Sequence, residues 1–149
     1  MARLRIKLST GLPELDHVLR GLMPGDNIVW QIESVADYMP FVRPDAAYAR
    51  ENRQKLIYFR FAQHAPLLPP DAGVEVHVLD PQEGFERFLT GILDVIELAG
   101  LGAFYIFDCL SDLAAYWLSD RMLGNFFMIA CPYLYELETI AYFALLKNQ

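Results

Sequence analysis

Asn27-Ile28-Val29-Trp30-Gln31-Ile32 runs into Glu33-Ser34-Val35-Ala36-Asp37-Tyr38-Met39-Pro40, and the architecture hinges on that junction. The first six residues form an uncharged run of strand length. The next eight carry helix-starting signals, because Ser34 or Asp37 can cap a helix and Pro40 is tolerated only in its first turn. Such a strand-to-helix junction is where α/β proteins place a Gly-x-x-x-x-Gly-Lys-Ser/Thr loop. There the backbone N–H groups and the lysine hold phosphates, and the hydroxyl ligates magnesium. Between Ile32 and Phe41 there is no glycine and no lysine. Glu33 and Asp37 add negative charge where a polyphosphate would sit, and Pro40 removes a donor N–H.

Outward from the junction, strand and helix signals alternate, which predicts an α/β domain with a mostly parallel sheet covered on both faces. Pro13 to Leu19 reads as a short helix ended by Gly21. Pro44 is expected to kink or restart the helix after the junction, before Asp45 to Asn52. Strands are read at Lys55 to Phe61 and Val74 to Leu79, joined by a proline-rich connector from Ala65 to Gly73. Pro81 to Ala99 is the clearest helix. Asp80 is its N-cap, Glu83 takes the capping-box position, Gly100 stops it, and Phe85, Phe88, Leu89, Ile92, Leu93 and Ile96 form a core-facing stripe. Phe104 to Asp108 is a strand, Ser111 caps a helix to about Met122, and Pro132 begins a last helix ending near Leu146.

The chain has 149 residues, 54% of them apolar and 13% aromatic, enough for the core of one domain spanning 1–149. Its formal charge of −7 and the lack of a basic run argue against a nucleic-acid binder. The longest apolar stretch, Met122 to Tyr135, is interrupted by Gly124, Asn125 and Pro132 and is too short for a bilayer. Arg3, Arg5 and Lys7 lead into a turn rather than a signal-peptide core. Cys109 and Cys131 fit reduced thiols in a cytoplasmic protein.

The segment STGLPELDHVLRGLMPGD, Ser9 to Asp26, resembles the entry segment of RecA-like ATPases of the KaiC and RadA type. The resemblance implies a three-layer fold in which Asn27 to Ile32 is the loop-bearing strand. The loop glycines then align with Glu33 and Tyr38, the lysine with Met39 and the hydroxyl residue with Pro40. After KLIYFRF, Lys55 to Phe61, the family carries water-activating glutamates where this chain has Ala62, Gln63 and His64. FYIFD, Phe104 to Asp108, resembles a Walker B strand and keeps its acid as Asp108. One acid cannot restore phosphoryl transfer, because positioning and charge neutralisation supply nearly all of that catalysis. The implied domain is a pseudo-ATPase and not itself an enzyme.

GDNIVWQIES, YFRFAQHAPLL, GAFYIFDCLSDL and GNFFMIACPYLYELETIAYFALLKN together resemble the degenerate RecA-like N-terminal domain of some bacterial proteins. Those proteins continue into a phosphoenolpyruvate synthase or pyruvate phosphate dikinase type of ATP-grasp domain. By implication the parent protein is an ATP-dependent phosphotransferase (a kinase) using ATP and magnesium elsewhere, with no cofactor expected in this domain. In RecA-like folds the element after the last helix read here is a strand between the loop-bearing and Walker B strands. Its absence would leave unpaired backbone in mid-sheet. The chain is therefore expected to be the N-terminal fragment of a longer protein, truncated before its remaining core strands. A rearranged sheet or a strand donated by a neighbouring copy is the alternative.

Candidate chemistry rests on a few side chains. Asp108 reads either as a residual magnesium ligand or as a strand-end acid satisfied by backbone N–H groups. The second is better supported, because a lone carboxylate lacks the phosphate partners magnesium uses. Asp112 favours a helix N-terminus. His64 follows a strand end, where ligand-binding residues of parallel sheets collect, and Arg60 precedes it. A solvated loop histidine is the plainer reading. Arg43, Arg50, Arg53 and Arg60 could form an anion site or a solvated face paired with Asp45 and Glu51. Cys109 lacks a motif-linked base, so a nucleophilic thiol has only its position in its favour. The aromatic segment 117–142, with Trp117, Phe126, Phe127, Tyr133, Tyr135 and Tyr142, could contact the rest of a longer chain or form a homo-oligomer. The sequence points to a regulatory or assembly domain. The alternative is a ligand-sensing domain that binds a nucleotide or small anion through Asp108, His64 and Arg60.

Overall fold

The computed structural model describes residues 7–70, 73–117 and 120–147. Five strands, β1 (Asn27–Ile32), β2 (Leu56–Arg60), β3 (Glu75–Val78), β4 (Phe104–Cys109) and β5 (Ile140–Leu146), form one sheet in the order β1-β5-β4-β2-β3. Every pairing is parallel. Helices α1 (Pro13–Leu19), α2 (Met39–Glu51), α3 (Phe85–Ala99), α4 (Ser111–Trp117) and α5 (Asp120–Glu136) complete the fold. The α/β class is as the sequence predicts, and the arrangement is that of a shortened RecA-like three-layer fold.

The central strands read as unbroken apolar runs because both faces are covered. Ile57, Phe59, Tyr105, Phe107, Ala141 and Phe143 turn to one face, against Phe88, Ile92 and Ile96 of α3, Leu113 of α4 and Phe126, Ala130 and Leu134 of α5. Leu56, Tyr58, Phe104, Ile106, Ile140 and Tyr142 turn to the other, against Tyr38 and Val42, Ala46 and Ala49 of α2. Aromatic stacking knits the first layer, with Phe107 lying 4.5 Å from Phe143. The α3 stripe is buried at Phe88, Leu89, Ile92 and Ile96 as its spacing predicts. At about 2 kcal/mol gross per buried side chain, it is a main anchor of that layer.

Several local expectations are corrected. Residues 140–146 are not the end of a helix but β5, and they occupy the place between β1 and β4 where the sequence reading left a gap. A seven-residue apolar run that must bond strands on both sides is more stable in the sheet than its Ala and Leu content suggests for a helix. Upstream, α5 covers 124–131, read as a connection, and holds Pro132 in its interior. Pro44 likewise lies inside an uninterrupted α2. Asp80 does cap, its carboxylate accepting from Gln82 N–H at 2.9 Å, but it caps a 3-10 turn at Pro81–Glu83. Gly84 at φ 102° and ψ 161° then separates that turn from α3, which starts at Phe85.

Parts of three expectations fall outside the described residues: Arg3 and Arg5, positions 71–72 of the connector and positions 118–119 of the helix read to Met122. Among the described residues no helix is long and apolar enough to cross a membrane.

Candidate functional site

The strand-end crevice of a parallel sheet is the natural ligand site, and here it is built from the ends of β1, β2 and β4. Beyond β1, Val35–Asp37 form a 3-10 turn, and Ser34 N–H donates to Asp37 Oδ2 at 3.2 Å. The segment therefore spends a donor on its own carboxylate. Tyr38, the last residue before α2, is fully buried, and its hydroxyl donates to the carbonyl of Phe107 at 3.1 Å. Burial, reinforced by the charges of Asp45 and Asp108, raises its pKa well above the ordinary value. A neutral phenol thus bridges the start of α2 and the end of β4.

Asp108 is also fully buried. One oxygen accepts from the Tyr58 hydroxyl. The other accepts from the N–H groups of Phe61 and Ala62 at 2.9 and 3.1 Å. Tyr58 in turn accepts from Leu67 N–H at 3.1 Å, and burial followed by the Asp108 charge raises its pKa. The acid pins the segment leaving β2 to the end of β4 through backbone N–H groups. His64 lies alongside, with Nε2 at 3.7 Å from Asp108 Oδ1 and Nδ1 at 2.8 Å from the carbonyl of Ala65. Arg60 donates to the carbonyl of His64 at 3.3 Å. Arg60, His64 and Asp108 do converge, but as a set that binds its own backbone. Asp112 is half-buried beside them. Burial raises its pKa, His64 opposes the rise and Asp108 adds to it.

The wider arginine cluster does not assemble. Arg53 precedes β2 and Arg60 ends it, so they lie toward opposite ends of that strand, and Arg43 and Arg50 are exposed on α2. Asp45, expected to pair with arginines on a solvated face, is instead fully buried, and among the described residues neither oxygen has a hydrogen-bond partner. Burial raises its pKa well above the carboxylate range. Tyr142 Oη and Trp30 Nε1 are also buried with no hydrogen-bond partner among the described residues, and these two rings meet edge-on at 5.6 Å. The sequence reading missed this polar set. Its one signal is Asp45 next to the Val42, Ala46 and Ala49 stripe.

Both thiols are held protonated by burial, Cys131 being pushed up to about 11, so neither has thiolate character. The aromatic segment is mostly core: Phe126 and Tyr142 are fully buried, and Trp117 packs on Phe85 and Phe88. Among its described residues, the large apolar side chains that are exposed are Met128, Ile129 and Tyr135. The Ser-Thr-Gly entry segment folds onto Asp16. That carboxylate accepts from the Ser9 hydroxyl, from Thr10 N–H at 2.7 Å and from the Thr10 hydroxyl at 2.6 Å. A cavity of about 900 Å³ opens beside it, lined by Lys7, Leu8, Asp16, His17, Arg20 and Tyr48 among others, but not by Arg60, His64 or Asp108. In comparisons with family models and with curated proteins, the chain matches none.

Proposed function

We propose that this chain is a non-hydrolysing RecA-like module, a cytoplasmic pseudo-ATPase acting as a regulatory or assembly domain of a phosphotransferase of the phosphoenolpyruvate synthase or pyruvate phosphate dikinase type. Tyr38 is the observation that supports it. At the position where a phosphate loop needs a glycine stands a buried ring hydrogen-bonded to Phe107, so the chain's own side chain takes up space a polyphosphate would require. No glycine, lysine, serine or threonine occupies the aligned anchor positions, and the one retained acid is engaged by Tyr58, Phe61 and Ala62. Neither charge neutralisation nor positioning of a γ-phosphate has a residue to carry it.

The test is calorimetric titration with ATP, ADP and phosphoenolpyruvate, with and without magnesium, to millimolar concentration, alongside a phosphate-release assay. No saturable heat and no turnover are expected; magnesium-dependent ATP turnover would overturn the proposal. The convergence of Arg60, His64 and Asp108 favours one rival, a sensor of a nucleotide or small anion. Saturable binding that disappears in Arg60→Ala while the melting temperature is retained would establish that rival instead.

A further inference from the structure

We infer that the layer between α2 and the sheet contains an internal water-binding site, in which Asp45, Tyr142 and Trp30 share one enclosed water molecule. This goes beyond the reading above and does not depend on how the strand-end crevice treats nucleotides.

Placement supplies the first argument. Val42, Asp45, Ala46 and Ala49 are the buried residues of α2, so Asp45 stands on the face turned to the sheet. Trp30 of β1 and Tyr142 of β5 turn to that same side, in a register that pairs Tyr142 with Ile28 and Trp30 with Ala144. The Trp30 ring stacks on Phe41 at 4.1 Å and meets the Tyr142 ring edge-on at 5.6 Å. Phe41 lies one helical turn before Asp45, which brings indole, phenol and carboxyl to one level of the layer. Burial raises the pKa of Tyr38 and of Tyr142, and the charge of Asp45 is the next largest cause for both, in keeping with a carboxyl set between the two phenols.

Hydrogen bonding supplies the second. Both carboxyl oxygens of Asp45, Tyr142 Oη and Trp30 Nε1 are buried and meet no hydrogen-bond partner among the described residues. The Tyr38 hydroxyl donates elsewhere, to the carbonyl of Phe107. Leaving such a set unpaired out of contact with solvent is costly, and native proteins answer the demand with protein atoms or with ordered water. None of the three residues lines the cavity of about 900 Å³ beside Asp16, so the site is not an arm of that cavity.

The mix of donors and acceptors identifies the guest. An indole N–H only donates, a phenol donates and accepts, and Asp45, kept protonated by burial, does both. No cationic group is among the influences on Asp45, Tyr38 or Tyr142, so an anion would find no counter-charge. A cation would face the hydrogen of the indole N–H. Water suits all three groups: it accepts from the indole N–H and from one hydroxyl, and it donates to the Asp45 carbonyl oxygen and to Tyr142 Oη. That is three or four bonds, the number an internal water makes.

Cross-relaxation between water and the indole N–H protons of the folded 149-residue chain tests this. The chain has two tryptophans, and Trp117 is the control because its Nε1 donates to the carbonyl of Pro81 at 3.3 Å. The Trp30 indole proton should show a cross-peak to water with the sign of a long-lived bound molecule, and that of Trp117 should not. The peak should survive in the double variant Asp45→Asn with Tyr142→Phe, which keeps an acceptor but removes the acidic protons that relay exchange with solvent. It should vanish in Asp45→Leu, where an apolar group takes the place of the carboxyl; the parent and the double variant decide the matter if that chain does not fold. A crystal structure should show one water within hydrogen-bond distance of Trp30 Nε1, Tyr142 Oη and Asp45. A parent without the Trp30 peak overturns the proposal, as does a peak lost in the double variant. Protein atoms, or an ion, completing the bonds of all three groups in the crystal overturn it too.

Discussion

Asp45 and Asp16 are two carboxylates whose environments push them in opposite directions. Asp45, buried without a partner, has its pKa raised, so the folded state holds a proton that the unfolded state releases near 3.9. Stability then falls as pH rises above about 4 toward the folded pKa. Asp45→Asn should therefore melt higher than the parent at pH 7 to 8, by a few degrees for each roughly 1 kcal/mol recovered, with the gap closing near pH 4. At Asp16, burial pushes the pKa up, but the hydrogen bonds from Ser9 and Thr10 outweigh it and the net shift is downward. Its contribution is present above about pH 4 and lost as pH falls through the folded pKa. Asp16→Asn should lower the melting temperature at pH 7 and converge with the parent in acid. Thermal melts of both variants from pH 3 to 8 check the pair, and gaps that do not change with pH would refute both assignments. Asp45 was illegible from sequence because one acid beside an apolar helical stripe usually sits at the solvent border. Here it lies inside, close enough to Tyr38 and Tyr142 for its charge, after burial, to raise both phenol pKa values.

Elements are joined here by a few close approaches, and these carry the sharper structural predictions. A Cβ on Gly11, whose φ is 83°, would stand 2.2 Å from the carbonyl oxygen of Pro44. Gly11→Ala combines backbone strain with that clash and should cost at least about 2 kcal/mol in chemical denaturation. A neutral effect would mean the entry segment is not seated on α2. Asp108 joins β4 to Tyr58 of β2 through one hydrogen bond and to the segment after β2 through two, so Asp108→Ala should cost roughly 3 kcal/mol or more. A loss below 1 kcal/mol, read from denaturant midpoints, would reopen Asp108 as a residue kept for a ligand. The clustering of Arg60, His64 and Asp108 was legible, because ends of neighbouring parallel strands must meet. Their internal satisfaction was not, since it depends on Tyr58 and on the backbone of Phe61 and Ala62. The identity of β5 was hidden for a related reason. Ile140 to Leu146 is apolar at every position, and such a run declares burial without declaring its period.

At the scale of the whole molecule, β5 lies late in the chain yet between β1 and β4 in space, so closing the sheet requires long-range pairing. Residues 140–144 are fully buried, as are those of β4. By contrast, α1 buries none of its side chains and is held through the Asp16 hydrogen bonds, the Gly11 contact and the Leu8–Leu22 bridge. Opening α1 exposes no fully buried side chain, whereas opening β4 or β5 dismantles both core layers at once. Native-state hydrogen exchange should therefore divide the molecule. Amides of β4 and β5 should exchange only with global unfolding and follow the full denaturant dependence, while those of α1 should exchange at least about 100-fold faster and respond weakly to denaturant. Asp16→Asn should speed exchange in α1 and leave β4 and β5 close to the parent once the change in global stability is subtracted. Equal protection across α1 and the central strands would contradict the division, because it would require the entry segment to unfold only with the core.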